Sequence, residues 1–283
     1  MMKKTFLAIL AFGLTFAVDA QVQTPAASPA STVKQTVGLT TFEINYSRPS
    51  LRGRELYNEL VPINKPWRFG ANQNTTISFD TEIIIEGNKV KEGQYAIFAI
   101  PNKNEWTFIL YNETSNWGVP KEIEDKKIVA KFDVGVRESE QFTESFTIAF
   151  TDVSDFNSVL LDVAWGKVLL PIKIELPTHD LTLKSIEKAM SKKPTHSDYF
   201  RSGMYYLGGD LDANQAVKYL SEAVNTNKEA PAYYYYNLAL AQEKAGSKDE
   251  ALKTAELTLK VAKESKSESY ANKSAELIER LQN

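Results

Sequence analysis

"KVLLPIKIELPTHDLTLKSIEKAM", Lys167–Met190, holds two periodicities and the point where one replaces the other. Up to Leu176 the apolar residues alternate with others, the period of a strand with one buried face. Pro177 ends that pattern, because it offers no N–H to a ladder. From Asp180 onward the apolar spacing becomes that of a helix. One chain therefore carries a β-rich part and an α-rich part, joined near Pro177. At 283 residues it has the length for both.

Read back toward the N-terminus, the strand pattern repeats. "FEINY" places Phe42, Ile44 and Tyr46 on one face. "TTISFD", "TEIIIEGNKV", "GQYAIFAI", "EWTFILY", "KIVAKFDV", "ESFTIAF" and "SVLLDVAW" follow, and Gly87-Asn88 reads as a hairpin turn. About nine or ten short strands in residues 37–176 predict an all-β antiparallel sandwich. Read forward, residues 177–283 hold six segments of helical period, with Gly208-Gly209, Asn227 and Gly246 as stops. Two helix pairs resemble tetratricopeptide repeats. Tyr235, Leu238, Ala239 and Ala251 fall at that repeat's aromatic, Leu and small positions, and Phe200, Leu207, Ala216, Tyr219 and Ala223 fit less closely. The expectation is an all-α domain of tetratricopeptide-like helical hairpins.

The first residues, "MMKKTFLAILAFGLTFAVDAQ", have a basic start and a short apolar core, and end in Val18-Asp19-Ala20. This predicts a secretory signal peptide over 1–20, cut before Gln21. The apolar run is short for a membrane span, so no stable membrane insertion is expected after cleavage. Residues 21–36, rich in Pro, Ala, Ser and Thr, read as a flexible lead-in. The expected location is the periplasm or the cell exterior. The chain has no cysteine, so packing alone must hold it together. The net charge is −3, which argues against a nucleic-acid partner.

Several chemistries are missing. The only histidines are His179 and His196, outside the β-rich part. That part therefore has no Ser-His-Asp or Cys-His nucleophile system and no ordinary zinc site. There is no glycine-rich phosphate loop and no EF-hand. No cofactor or metal is expected. Carboxylates remain, and Glu55, Glu59 and Asp80 are candidates for a glycosidase pair, but no spacing selects two of them.

Between two strands lies "SRPSLRGRELYNELVPINKPWRFGANQNTT", Ser47–Thr76, which holds four of the seven arginines. Pro49, Pro62 and Pro66 break it, "RGRELYNEL" reads as two turns of helix, and Trp67 anchors the return. Two readings stand side by side. In one, Arg48, Arg52, Arg54 and Arg68 bridge carbonyls and acids such as Glu55 and Glu59, pinning an irregular connection to the sandwich. In the other, they converge with Trp67, Asn72 and the loop residue Trp117 on a sugar or an anionic ligand.

The motifs Ser47-Arg48-Pro49-Ser50, Arg52-Gly53-Arg54, Leu60-Val61-Pro62, Trp67-Arg68 and Gly70-Ala71-Asn72 resemble a bacterial family known as domain of unknown function 2911. "EGQYAIFAIPNKNEWTFILYNETSNWG" and the later "FTIAF", "LLDVAW" and "VLLPI" also resemble it. The likeness spans about residues 35–175. It implies an exported β-rich domain, sometimes followed by tetratricopeptide-like helices, and brings no established activity. Gln73 stands where that family commonly has an acid, and Phe69 where it has a small hydroxyl residue. That departure weighs against a carboxylate mechanism.

The first functional expectation is thus a noncatalytic binding or scaffold protein. Its helical repeats would present Tyr233, Tyr234 and Tyr236 to a protein or peptide partner. The alternative is a carbohydrate- or anion-binding β-domain, or a carboxylate-based hydrolase.

Overall fold

The computed structural model describes residues 24–153, 156–209 and 211–283. The signal-peptide reading of residues 1–20 lies outside them. The chain divides into two compact units. The first holds the described residues up to 36 together with 41–153 and 159–174, and the second holds 37–40, the described part of 154–158, and 175–283.

The first unit is built on ten strands: β1 (Ala30–Val37), β2 (Thr40–Ser47), β3 (Thr75–Phe79), β4 (Ile83–Ile85), β5 (Asn88–Val90), β6 (Gly93–Pro101), β7 (Glu105–Tyr111), β8 (Ile128–Gly135), β9 (Arg137–Thr151) and β10 (Ser158–Glu175). They form a six-stranded sheet, β1-β2-β3-β6-β7-β8, and a four-stranded sheet, β5-β4-β10-β9. The sheets meet through rings on their inner faces. Phe42 of β2 lies 5.1 Å from Phe150 of β9. Tyr46 lies edge-on to Phe146 at 5.9 Å. The Tyr46 hydroxyl accepts from the Ile148 N–H at 3.2 Å, so its polar tip is satisfied inside the core.

Trp67 is the centre of this core. It is 8% exposed, stacks on Trp165 at 5.9 Å, and meets Trp106, Phe69 and Phe146 edge-on. It reaches that place because its backbone pairs with Ala99, through Trp67 N–H to the Ala99 carbonyl at 2.7 Å and the reverse bond at 3.0 Å. The connection thus extends the ladder of β6 beyond the last pair that β3 makes with it.

The middle of the six-stranded sheet, at β6 and β7, is covered on its second face too. Ala96, Phe98, Ile109 and Tyr111 form a separate buried cluster with Ile123 and Ile128 against it. That burial on both faces explains why "GQYAIFAI" reads as a nearly continuous apolar run rather than an alternation. The cover is the β7–β8 connection, residues 112–127, which ends in one 3-10 turn. Lys127 ties its two ends together, bonding Glu113 at 2.7 Å and Glu124 at 2.5 Å.

The second unit contains α1 (Thr178–Met190), α2 (His196–Gly208), α3 (Ala213–Thr226), α4 (Ala232–Lys244), α5 (Lys248–Glu264) and α6 (Glu268–Gln282). A capping box starts α2, with Thr195 and Asp198 exchanging side-chain and backbone bonds. Successive helices pack through small residues: Ala216, Ala223, Ala251 and Ala255 are fully buried. Gly203 of α2 is needed for the same reason, since a Cβ there would lie 2.5 Å from the Leu220 side chain on α3. Close helix approach is what the repeat-like spacing of small residues encodes. Among the described residues no helix is long and apolar enough to cross a membrane.

Three expectations need correction. The flexible lead-in ends early, because residues 30–36 belong to β1. The hairpin between β4 and β5 turns at Glu86-Gly87, both with positive φ, one residue before the expected Gly87-Asn88. "RGRELYNEL" is a series of turns, not a helix. Arg52 and Asn58 take positive φ there, and the Arg54 side chain occupies the Leu51 and Ser50 carbonyls.

Two outcomes follow for stability. Trp67→Ala empties the meeting point of five rings and should lower unfolding free energy by about 3–5 kcal/mol in urea titrations. The Glu124 carboxylate, bonded to Lys126 and Lys127, is held down at about 2. A depressed carboxylate stabilises above its ordinary value and loses that effect as pH falls through the folded value. Amide protection in residues 112–127 should therefore weaken between pH 4.5 and about 2. High salt should blunt the change, since the group is solvent-exposed.

Candidate functional site

The connection from β2 to β3 carries most residues singled out from the sequence. Its first part hangs on β9. Leu51 N–H donates to the Glu144 carbonyl, and Phe146 N–H donates to the Pro49 carbonyl. Arg48 extends along the same strand, giving Nε to the Phe146 carbonyl at 3.0 Å and Nη2 to the Thr147 hydroxyl at 2.7 Å. Arg52 donates to the Ala27 carbonyl at 3.0 Å, while its backbone N–H meets Glu144 Oε1 at 2.6 Å. Arg54 closes its own turn on the Leu51 and Ser50 carbonyls at 3.0 and 2.8 Å. None of the four arginines forms an ion pair among the described residues, and Glu59 instead accepts from the Glu55 N–H at 2.5 Å. Arg48, Arg52 and Arg54 act as donors to carbonyls and a hydroxyl along the chain and share no cleft. Trp67, considered above as a ligand-facing ring, sits in the core because its backbone is paired to β6.

Arg68, Asn72 and Trp117 are brought together. Arg68 Nη1 donates to the Asn72 carbonyl at 2.8 Å and to the Trp117 carbonyl at 2.9 Å. The connection turns sharply here, with Phe69, Gly70 and Asn72 all at positive φ. Gly70 (φ +141°) permits this, as a Cβ would stand 3.2 Å from the Ser47 carbonyl. Asn72 Nδ2 then reaches the Ser47 hydroxyl at 3.2 Å. Trp117 is 67% exposed on a loop thus fixed at its backbone.

Beside that turn is a cleft of about 170 Å³ between the β1–β2 edge, the Gln73-Asn74 segment and Thr114. Its lining includes Ser31, Thr32, Asn45, Ser47, Gln73, Asn74, Thr76 and Thr114, and no lining side chain is charged. Thr32 donates to Asn45 Oδ1 at 2.6 Å, and Asn45 Nδ2 to Glu43 at 3.0 Å. Asn74 is only 4% exposed. Its N–H bonds the Asn116 carbonyl at 3.2 Å and its Nδ2 lies 3.5 Å from the Thr114 carbonyl. Its Oδ1 is buried without a hydrogen-bond partner. Such an oxygen is uncommon in a packed protein, and among the described residues Asp162 Oδ1 and Gln242 Oε1 share the condition. Of these cleft residues the sequence singles out only Ser47 and Gln73, and it leaves Thr32, Asn45, Asn74, Thr76 and Thr114 unmarked. Separated by up to 82 positions, these carry no joint local signal.

In the second unit, Tyr234 is buried at 4% exposure and stacks on Phe200 at 4.1 Å, so it is core. Tyr233 is 38% exposed, and Tyr236 is half-buried beside Tyr270. His179 and His196 each place Nδ1 at a tyrosine hydroxyl, Tyr205 at 2.9 Å and Tyr234 at 3.0 Å. These are satisfied structural pairs. A larger cavity of the second unit, about 540 Å³, is mainly apolar, with Met204, Tyr205 and Leu211 among its lining residues. Among the described residues no group of three or more His, Cys, Asp or Glu is placed to hold a metal ion.

The family model described as a protein of unknown function (DUF2911) matches residues 28–174, just over half of the chain. No curated protein and no solved structure matches.

The arginine geometry sets an order of effects. Arg48→Ala removes two charge-assisted bonds to β9 from a half-buried side chain and should cost about 1.5–3 kcal/mol. Arg52→Ala, at an exposed position, should cost roughly 0.5 kcal/mol or less. Midpoints of urea unfolding for the two variants check the difference.

Proposed function

The chain belongs to the DUF2911 family, and from that premise we propose that it is an exported, noncatalytic binding protein whose helical unit engages a protein or peptide partner. The observation that carries this reading is a ribbon of rings across alternate helices. Phe200 of α2 meets Tyr233 of α4 edge-on at 5.3 Å. Tyr233 lies 6.3 Å from Tyr270 of α6, and Tyr270 lies 5.7 Å from Tyr236. The ribbon is continuous, and Tyr233 at its middle is more than a third exposed. Tyrosine suits such a surface, since each ring gives apolar area and keeps a polar tip for water or a partner. Lys273 stands over the Tyr270 ring at 5.1 Å, adding a cation at one end. Antiparallel helices joined by short turns hold these rings on a rigid frame, so little side-chain freedom remains to be lost on binding. The absence of histidine and cysteine from the β-rich unit supports a binding role over nucleophilic catalysis.

Tagged full-length chain, recovered from the exported fraction with its N-terminus at Gln21, should carry a defined protein partner. The double variant Tyr233→Ala/Tyr270→Ala should lower recovery of that partner about tenfold or more, with far-UV circular dichroism unchanged. Unchanged recovery would remove the ribbon as the contact surface.

A further inference from the structure

We propose that the uncharged cleft around Asn74 binds one ring of a neutral carbohydrate, with Trp117 as a platform for the adjoining ring. The inference is independent of the helical unit and rests on three features of the β unit.

The first is the free acceptor. Asn74 is more than nine-tenths buried, lines the cleft, and leaves Oδ1 without a partner. Removing an amide oxygen from bulk water is unfavourable unless a donor replaces the water. Oδ1 is itself closed to solvent, so a hydroxyl in the cleft meets it once the Asn74 amide turns toward the space.

The second is the character of the lining. The lining residues include the hydroxyl-bearing Ser31, Thr32, Thr76 and Thr114 and the amide-bearing Asn45 and Gln73. Hydroxyls both donate and accept, as do the hydroxyls of a sugar, so the two sets can satisfy one another in several directions. An anion finds no cation in the lining. Arg68, at the turn beside the cleft, gives Nη1 to two carbonyls instead. An apolar ligand would leave these polar groups unpaired. The volume, about 170 Å³, accommodates one sugar ring rather than a long chain.

The third is Trp117, three residues beyond Thr114 on the same loop and 67% exposed. The exposed C–H face of a pyranose packs well on an indole. The loop is prepared for this, because Arg68 holds the Trp117 carbonyl and Asn74 N–H holds the Asn116 carbonyl. Preorganisation lowers the ordering cost of binding.

The test uses the full chain against an array of neutral oligosaccharides and their sulfated counterparts, followed by calorimetry with the best neutral binder. Neutral sugars should bind, with a tryptophan fluorescence change that disappears in Trp117→Ala. Trp117→Ala, at an exposed position, should keep the wild-type Tm and weaken binding by about tenfold. Asn74→Leu, of similar volume, should weaken it by about tenfold or more, and Thr32→Val provides a second shape-preserving removal of a cleft hydroxyl. The proposal is overturned if no neutral oligosaccharide binds at millimolar concentration. It is equally overturned if only sulfated sugars bind, or if folded Trp117→Ala and Thr32→Val bind as the wild type does.

Discussion

The connection between β2 and β3 must satisfy its backbone without a continuous ladder, and the β unit is organised around how it does so. A carbonyl buried away from both water and a neighbouring strand is costly. Pro49, Pro62 and Pro66 remove donors from the segment and prevent regular structure. Arginine answers that need, since one guanidinium can serve two acceptors in fixed geometry. Arg48, Arg54 and Arg68 each do this, toward β9, toward their own turn and toward the Trp117 loop. The same connection touches the four-stranded sheet through Ser50–Ser145 and the six-stranded sheet through Trp67–Ala99. It therefore joins both layers at the place where the largest rings meet.

That arrangement also makes the polar cleft. The turn at Phe69–Asn72 redirects the chain so that Asn74, just before β3, has its side chain buried and one oxygen unmatched. Arg68 fixes the turn and the Trp117 loop to each other. The arginines thus act on the cleft by positioning its borders rather than by presenting charge within it. A site of hydroxyls and amides gains direction from such rigid support, because neutral hydrogen bonds depend strongly on geometry.

The helical unit follows a different logic. Fully buried alanines and Gly203 bring helices close, and the larger rings pack around them. Some of those rings finish the core, as Tyr234 does against Phe200, whereas Tyr233 keeps a substantial exposed face. A run of four tyrosines on one helix must divide in this way, because consecutive residues point about a quarter turn or more apart.

Much of the architecture was legible in the sequence by itself. Period two before Pro177 and helical period after it determined the order of an antiparallel β unit and a six-helix unit. Small residues at repeat-like spacing determined the close helix pairs. The absence of cysteine and the confinement of histidine determined which chemistries the β unit lacks. Those properties are local or compositional, so one chain suffices to read them. Only the tertiary structure decided that Trp67 is core, that residues 30–36 make an edge strand, and that the 52–60 segment is turns rather than helix. It alone decided that Thr32, Asn45, Asn74 and Thr114 line one space. The physical reason is that burial and hydrogen-bond partners come from distant segments: an arginine's sequence tells that it will donate, but the fold chooses the carbonyls.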